Sequence, residues 1–556
     1  MDGVKEVAYK YAVKNAFEHE GKAQMGAVVG KVKALFPEID LKVVMPEIMQ
    51  ALNNANKMHK DMLNSEYAKF NAQGWELKHE TREKTLAELD WITPSTKIIT
   101  RVAPNPSGAM HFGHARPSVL TDEYVKKYGG KFILRFDDTD PKVKKPVPGI
   151  EKDFIKDYEW LGVKFHETCN ASDRLDRYYE IIEQLIKMDK AYICSCESES
   201  WRKLIWESKA CPCRERKIEV QLNDWKKMLV HEIKEEEAVV RIKTNLDNPD
   251  PSERDWWIAK VVDIVEHPNK KTLNNHVWPS YNLASAVDDH DMNVNLIIRG
   301  QEHMTNGDKQ KELYSYFNWE YPHCYYHGKI SKLGDMTLSK SKMKLIMDEL
   351  GVERYDDPRM ATIKAFRRRG FRPEAIRKII LDCGLSLKEV KISTDAFAAA
   401  NKLFLGEVNE YPYFEEIVPL EVVNMVEGEV EGHGEHQKFK GGIQKFLVNK
   451  KELMKNKVGG MVRLKKACNV KLDELNEFET RATFVSYMKT NNPILSWIID
   501  SVDIEVLMSD GTIKRGITTK NILEENGVIR IEGIGYANIE EKTDSGLKLV
   551  FAHDWI

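Results

Sequence analysis

The sequence predicts a multidomain α/β and β protein. A doubly wound nucleotide-binding core, split by an insertion, follows a helical N-terminal region and precedes a helical connector and a β-rich C-terminal region. Three observations predict it. Residues 94–190 alternate strand-like and helix-like patterns, and the alternation resumes over 277–350. A short β-type run, Lys97–Val102, feeds a Pro/Gly loop and then a helical pattern, opened by His111-x-Gly113-His114, that runs to about Tyr128. From about residue 393 the chain changes to β-type runs separated by polar turns. At 556 residues it has room for roughly three to five domains, each with its own core.

Taken in order, residues 1–93 are rich in Ala, Lys, Glu and Met with few turn signals, and read as a helical appended region that braces the core or docks a protein partner. Residues 94–190 form the first half of the core. Residues 191–276 interrupt it and carry Cys194, Cys196, Cys211 and Cys213 as two C-x-C pairs separated by fourteen residues. Four thiolates in two close pairs suit one tetrahedral Zn²⁺, which would clip a small insertion together; four unligated thiols or two redox pairs are the alternatives. Residues 277–350 complete the core, and 351–392 form a helical contact region. Within it, Pro358–Lys378 holds eight Lys/Arg against one Glu. Such density is a solvated helix face or, beside a nucleic-acid enzyme's core, a phosphate contact through Arg367, Arg368, Arg369 and Arg372. Residues 393–556 read as β-barrels, with Ser509-Asp510-Gly511 as a hairpin turn, a Lys-rich helix over Lys438–Lys457 and a solvent-facing acidic stretch over Glu407–Glu435.

Composition excludes several classes. Hydrophobic content of 42% and aromatic content of 9% predict a soluble globular chain, and no apolar run approaches a membrane span of about 20 residues. The N-terminus carries mixed charges and no signal-peptide core. Eight scattered cysteines suit a reducing, cytoplasmic setting rather than a disulfide framework. A net charge of −3 requires any nucleic-acid surface to be local.

A strand that ends in a glycine loop at a helix N-terminus is an anion site, because free N–H groups and the helix dipole face the ligand. His111 and His114 add imidazole donors for phosphate oxygens, and Gly113 lets a flat adenosine approach the backbone. Downstream, Thr337-Leu-Ser-Lys-Ser-Lys342 reads as a small loop presenting Lys340 between Ser339 and Ser341. Alone, either motif is an ordinary surface feature.

Together they resemble the ATP-binding signatures of class I aminoacyl-tRNA synthetases. Arg101-x-Ala103-Pro104-x-Pro106-x-Gly108, Phe132–Pro141 with Arg135-Phe-Asp137-Asp-Thr-Asp140, Pro279–Asp288 with Tyr281, and Ile298-Arg299-Gly-Gln-Glu-His303 are similar to blocks of the glutamyl-tRNA synthetase family, in family order. His114, the N-terminal extension and the β-rich C-terminus point to its archaeal and eukaryotic branch. Phe112 departs from the family's aliphatic residue, Thr337 and Leu338 from its Lys and Met, and Asp137 from the Glu of many bacterial members.

The resemblance implies a Rossmann-type class I catalytic core, an inserted domain that holds the tRNA acceptor stem, and C-terminal barrels that bind the anticodon. It implies ATP with Mg²⁺, L-glutamate and tRNA(Glu) as ligands, with tRNA(Gln) as a further acceptor that archaeal relatives often charge, and a cytoplasmic enzyme taken as a monomer. His111, His114 and Lys340 would be catalytic, and with Gly113, Leu338, Ser339 and Ser341 would bind ATP. Arg101, Ala103, Asn105, Asp137, Tyr281 and Arg299 would bind glutamate. Arginine forks suit the two carboxylates, Asp137 the ammonium, and Tyr281 adds a hydroxyl. Arg299 separates glutamate from the amide of a glutaminyl enzyme, where a buried guanidinium would lack its anion. A non-tRNA adenylyltransferase also uses H-x-G-H but needs no long β-rich C-terminus.

Overall fold

The alternation after residue 94 builds one parallel sheet from β1 (Ile98–Val102), β2 (Gly130–Phe136), β3 (Glu167–Asn170), β4 (Leu296–Gly300) and β5 (His323–His327). Its order is β3-β2-β1-β4-β5, and every neighbouring pair is parallel. Helices cover such a sheet, so its strands carry apolar residues on both faces: all five residues of β4 are buried. The helix Phe112–Tyr128 joins β1 to β2 and buries Phe112, Ala115, Val119, Leu120 and Tyr124. It ends at Gly129, whose φ of +74° suits glycine. The computed structural model describes residues 2–19, 21–36, 39–72, 86–334, 336–338, 340–351, 354–432, 435–543 and 546–554.

The chain divides into two compact units, Met1–Thr85 and Leu86–Ile556. In the first, helices Asp2–Glu18, Met25–Leu35, Leu41–Asn56 and Lys60–Ala72 enclose an aliphatic core around Ala12, Val32 and Ile48. The division falls before residue 86 rather than at 93, because residues 86–93 belong to the parallel-sheet unit. Leu89 is buried in its core, and Trp91 stacks on His323 at 4.1 Å.

The insertion is a four-stranded antiparallel sheet, Ala191–Cys194, Val239–Ile242, Trp257–Val261 and Val277–Pro279, with helices Ser198–Trp206 and Ile218–Leu229. Its last strand carries it to Pro279, past the expected end at 276. The connector likewise outruns its expected end at 392. Ser393 caps a further helix, Thr394–Leu405, by accepting from the Ala396 N–H.

Two sheets follow, and each closes on itself. In the seven-stranded sheet, Ile494–Leu495 pairs at one edge and Trp497–Ile498 at the other, so one short segment joins both edges. In the six-stranded sheet, Glu410–Tyr411 forms one edge, and Phe414, three residues on, bridges Ile517 of the opposite edge strand. Full closure removes the edges that would invite wrong pairing. The expected Lys438–Lys457 helix is instead mostly strand, Glu435–Phe439 and Gly442–Asn449, with only Lys450–Leu453 helical. Its alternating Phe446 and Val448 enter the barrel core, and that period-two burial overrides the lysines' helix preference. The acidic stretch is not simply solvent-facing: Ile417–Met425 is an interior strand of this barrel.

Candidate active site

Strand order reverses between β1 and β4, and in open α/β sheets ligands bind at the carboxyl ends of the strands beside such a switch. A cleft of about 1400 Å³ opens there. Arg101 to Asn105 line it at the end of β1 and just beyond, Asp137 after β2, Arg299, Gly300, Glu302 and His303 at the end of β4 and just beyond, and Trp201, Arg241 and Trp257 from the insertion.

At one end, His111 caps the helix Phe112–Tyr128. Its Nδ1 accepts from the Gly113 N–H at 3.1 Å, and the His114 Nδ1 accepts from the His111 N–H at 3.4 Å. Both accepting Nδ1 atoms place the ring proton on Nε2, the tautomer able to donate to an anion. The rings stack at 3.8 Å. Gly113 serves this arrangement rather than an adenosine alone: a Cβ there would stand 2.9 Å from the His111 ring.

The His111 and Lys340 motifs are stitched together by residues 359–363, which the sequence shows only as the start of the basic run. Phe112 N–H donates to Ala361 O at 3.0 Å, and Ala361 N–H to Thr337 O at 3.1 Å. The Lys-Ser motif is not a loop throughout. Thr337 lies in a bridge to Met360, and Lys340 opens the helix Lys340–Leu350. Leu338 packs against the core. Ser339 lies outside the described residues, and Lys340 and Ser341 are placed by their backbone alone.

At the other end, Arg101 does not offer its fork. Its Nε and Nη2 each donate to Asp289 at 2.7 Å, and Nη2 also to Ser285. Both partners lie on the helix Tyr281–Asp291, one turn apart, facing β1. Asn105 is similarly engaged, donating to Asp137 O at 2.9 Å and so lacing the loops after β1 and β2. Arg299 differs. Its Nη1 donates to Gln310 Oε1 at 3.0 Å and its Nη2 to the Tyr321 hydroxyl at 2.9 Å, with the Tyr326 hydroxyl at 3.5 Å. Among the described residues no carboxylate pairs with it.

Burial pushes the Asp137 carboxyl above its ordinary value; Arg135, at 3.5 Å, pulls the other way, and Asp138 adds to the rise. Asp288, a second acid of the Tyr281 helix, pairs with Arg135, receives Arg174 at 2.6 Å and accepts from Tyr178 at 2.6 Å. His303 is held down to about 4 by burial and by the Arg299 cation, so it is neutral, and its ring lies 5.5 Å from that of Tyr281.

The chain is similar to known proteins. Residues 97–406 match the family of class I tRNA synthetases (E and Q), catalytic domain. A glutamate–tRNA ligase of Pyrococcus furiosus is 40% identical, covering 99% of this chain and 100% of the relative. One of Thermococcus kodakarensis is 39% identical, covering all of both. The chain belongs to the glutamate–tRNA ligase family of class I aminoacyl-tRNA synthetases. A solved glutamate-tRNA synthetase structure from Elizabethkingia anophelis aligns at 22% identity and TM-score 0.41, over 56% of this chain and 71% of that one.

For a member of this family the basic run is a surprise, because much of it is internal. Arg369 is 3% exposed and donates to the carbonyls of Phe551, Ala552 and Pro358. Arg368 forks onto Glu540 at 2.5 and 2.9 Å. These two fasten the six-stranded barrel to the connector and are not available to RNA. Arg367 lies 3.4 Å from buried Asp157, whose carboxyl burial raises to about 6. Arg367 is nonetheless exposed, as is Arg372 at the N-cap of the helix Pro373–Cys383. Its partners aside, the insertion brings Cys194, Cys196, Cys211 and Cys213 together, with all four sulfurs within 4.8 Å of one another. No helix among the described residues is long and apolar enough to cross a membrane.

Proposed function

We propose that the chain ligates L-glutamate to tRNA(Glu) in two steps. In the first, an oxygen of the glutamate α-carboxylate attacks the α-phosphorus of ATP, bound as its Mg²⁺ complex, and pyrophosphate leaves. In the second, the terminal ribose hydroxyl of the tRNA attacks the activated carbonyl, and AMP leaves. The Nε2–H groups of His111 and His114 and the N-terminus of their helix serve the phosphates, and Lys340 is assigned to the same phosphates by its motif. They stabilise charge that builds on the leaving group, with no covalent part in the reaction. Asp137 receives the α-ammonium, and Tyr281 borders it. Arg299 receives the side-chain carboxylate. Arg101, already paired, orients the Tyr281 helix through Asp289 and has one nitrogen, Nη1, left for the substrate.

The observation that carries this reading is the buried Arg299 beside the cleft with neutral partners only. A guanidinium in that state needs an anion, and glutamine supplies none. Pyrophosphate exchange with glutamate and with glutamine, with and without tRNA, tests it. Preference for glutamine would overturn it. Charging purified tRNA(Glu) and tRNA(Gln) side by side reads the acceptor.

We infer, too, that the four cysteines hold Zn²⁺. A Zn–S distance of about 2.3 Å in a tetrahedron puts sulfurs about 3.8 Å apart, and Cys194–Cys211 and Cys196–Cys213 stand at 3.9 and 3.7 Å. The ion would clip the helix Ser198–Trp206, which carries Trp201 into the cleft wall, to the insertion's sheet. Metal analysis should find one zinc per chain, lost in Cys211→Ser together with thermal stability. Fully folded, active protein without zinc would refute the assignment.

A further inference from the structure

Arg299 owes its place to a side chain outside the sequence motifs. Gln310 is fully buried on the helix Met304–Tyr316. Its Oε1 accepts from Arg299 Nη1 at 3.0 Å and from the Tyr321 hydroxyl at 3.1 Å. A guanidinium only donates, so the amide must turn its oxygen toward it. The Tyr321 hydroxyl then accepts from Arg299 Nη2 and donates to Gln310, which closes a three-membered ring of hydrogen bonds. Gly307, one turn earlier on the same helix, supplies the room. A Cβ there would stand 3.0 Å from Arg299 Nη2 and would collide with the Tyr326 hydroxyl. Every group in this cage is neutral.

We propose that Gln310 is a specificity-positioning residue that fixes the Arg299 guanidinium without cancelling its charge. It acts through Arg299 and does not touch the substrate. A carboxylate in the same place would orient Arg299 equally well, as Asp289 orients Arg101, but would neutralise it. The cleft would then gain little from an anionic side chain over its amide. Neutrality at position 310 therefore selects glutamate, by leaving the substrate to supply the missing charge. The inference rests on Arg299 as the partner of the glutamate side chain.

Gln310→Glu, nearly the same shape with one added charge, separates the idea from packing. Pyrophosphate exchange by the full-length enzyme with tRNA present should show the glutamate KM raised about 100-fold, as for a lost buried charge pair, with the ATP KM unchanged. The ratio of kcat/KM for glutamate over glutamine should fall by a similar factor. Gln310→Met loses the acceptor but adds no charge. Its glutamate KM should rise about tenfold, as for a lost hydrogen bond to a charged group, with most of the ratio kept. An unaltered ratio in Gln310→Glu, or an equal fall in both variants, overturns the proposal. Should Gln310→Glu fail to fold, Tyr321→Phe removes a neutral partner and must also preserve the ratio; its collapse there overturns the proposal equally. Failure of the underlying reading looks different, because wild-type enzyme would then not prefer glutamate, or Arg299→Ala would leave the glutamate KM unchanged.

Discussion

Arg101 on β1 and Arg299 on β4 stand on the two strands that flank the switch point, and both are buried. Arg101 spends two nitrogens on Asp289, whereas Arg299 spends its own on an amide and two phenols. The same residue type at equivalent depth is thus tied to a carboxylate in one place and held by neutral partners in the other. Burial does not tell the two apart; the formal charge of the partner does. The connector repeats the contrast. Arg369 is internal and bound to carbonyls, and Arg372, three residues on, is exposed.

Breaking the tie should have the largest effect. Arg101→Ala leaves Asp289 buried without its cation, which costs about 3–5 kcal/mol of folding stability. Chemical denaturation measures it. A loss below about 1 kcal/mol would mean that Asp289 finds another partner or takes up a proton cheaply. Arg299→Ala orphans no carboxylate, so its stability should stay near wild type. Its cost appears in catalysis, about 2–5 kcal/mol in kcat/KM for glutamate. If the two variants show the same pattern, the contrast between the arginines fails.

The acid of the site sharpens the comparison through pH. Burial raises the Asp137 carboxyl, so it takes up a proton at a higher pH than an exposed aspartate would. In its proposed role, Asp137 must be ionised to pair with the substrate's ammonium. The glutamate KM should therefore climb as pH falls into the acid range, while the ATP KM does not follow. Asp137→Asn should raise the KM throughout and flatten that profile. The stability sign is opposite to that of a salt-bridged acid. A raised folded-state pKa adds stability below the unfolded value and loses it as pH rises through the folded one. Asp137→Asn should accordingly not destabilise the protein at neutral pH. A steep KM profile surviving in the variant would assign the titration elsewhere.

Much of this was legible in the sequence, and the illegible part has a pattern. The parallel core, its Lys97–Val102 strand, the helix to Tyr128 and the paired cysteines follow from periodicity and spacing. The Ser509-Asp510-Gly511 turn does join two antiparallel strands. Ser393, a serine before an Ala-rich run, was an available helix-cap signal that the change to β composition obscured. Long-range pairing was not available at all. Asp289 lies 188 residues from Arg101, and no local pattern says that it will occupy that fork. Gln310 carries no motif, and its meaning comes from facing Arg299 and Tyr321 together. The stitch through residues 359–363 is a backbone contact and leaves no side-chain trace. Motifs pointed to Arg101, Asn105, His111, Asp137, Tyr281 and Arg299, which line the cleft; only the fold showed which of them arrive already paired.

The smallest expected effect tests that lesson on the basic run. Charge reversal at Arg369 should damage folding, since a carboxylate there would face three backbone carbonyls in the interior. It would say nothing about RNA. Charge reversal at Arg372 should leave stability and amino-acid activation unchanged. If it meets a tRNA phosphate, affinity falls modestly and the slope of log affinity against log salt shrinks by about one, since one fewer counterion is released. Arg367 sits between these cases, because its loss also removes a cation that lowers the buried Asp157 carboxyl. Its variant should therefore combine a smaller salt slope with a pH-dependent stability change centred near the Asp157 value of about 6. Without Arg367 that carboxyl titrates still higher, so the variant gives up stability above this pH and regains it below. Equal salt slopes for wild type, Arg367→Glu and Arg372→Glu would return the run's exposed arginines to a solvated helix face, with Arg368 and Arg369 as ties to the barrel.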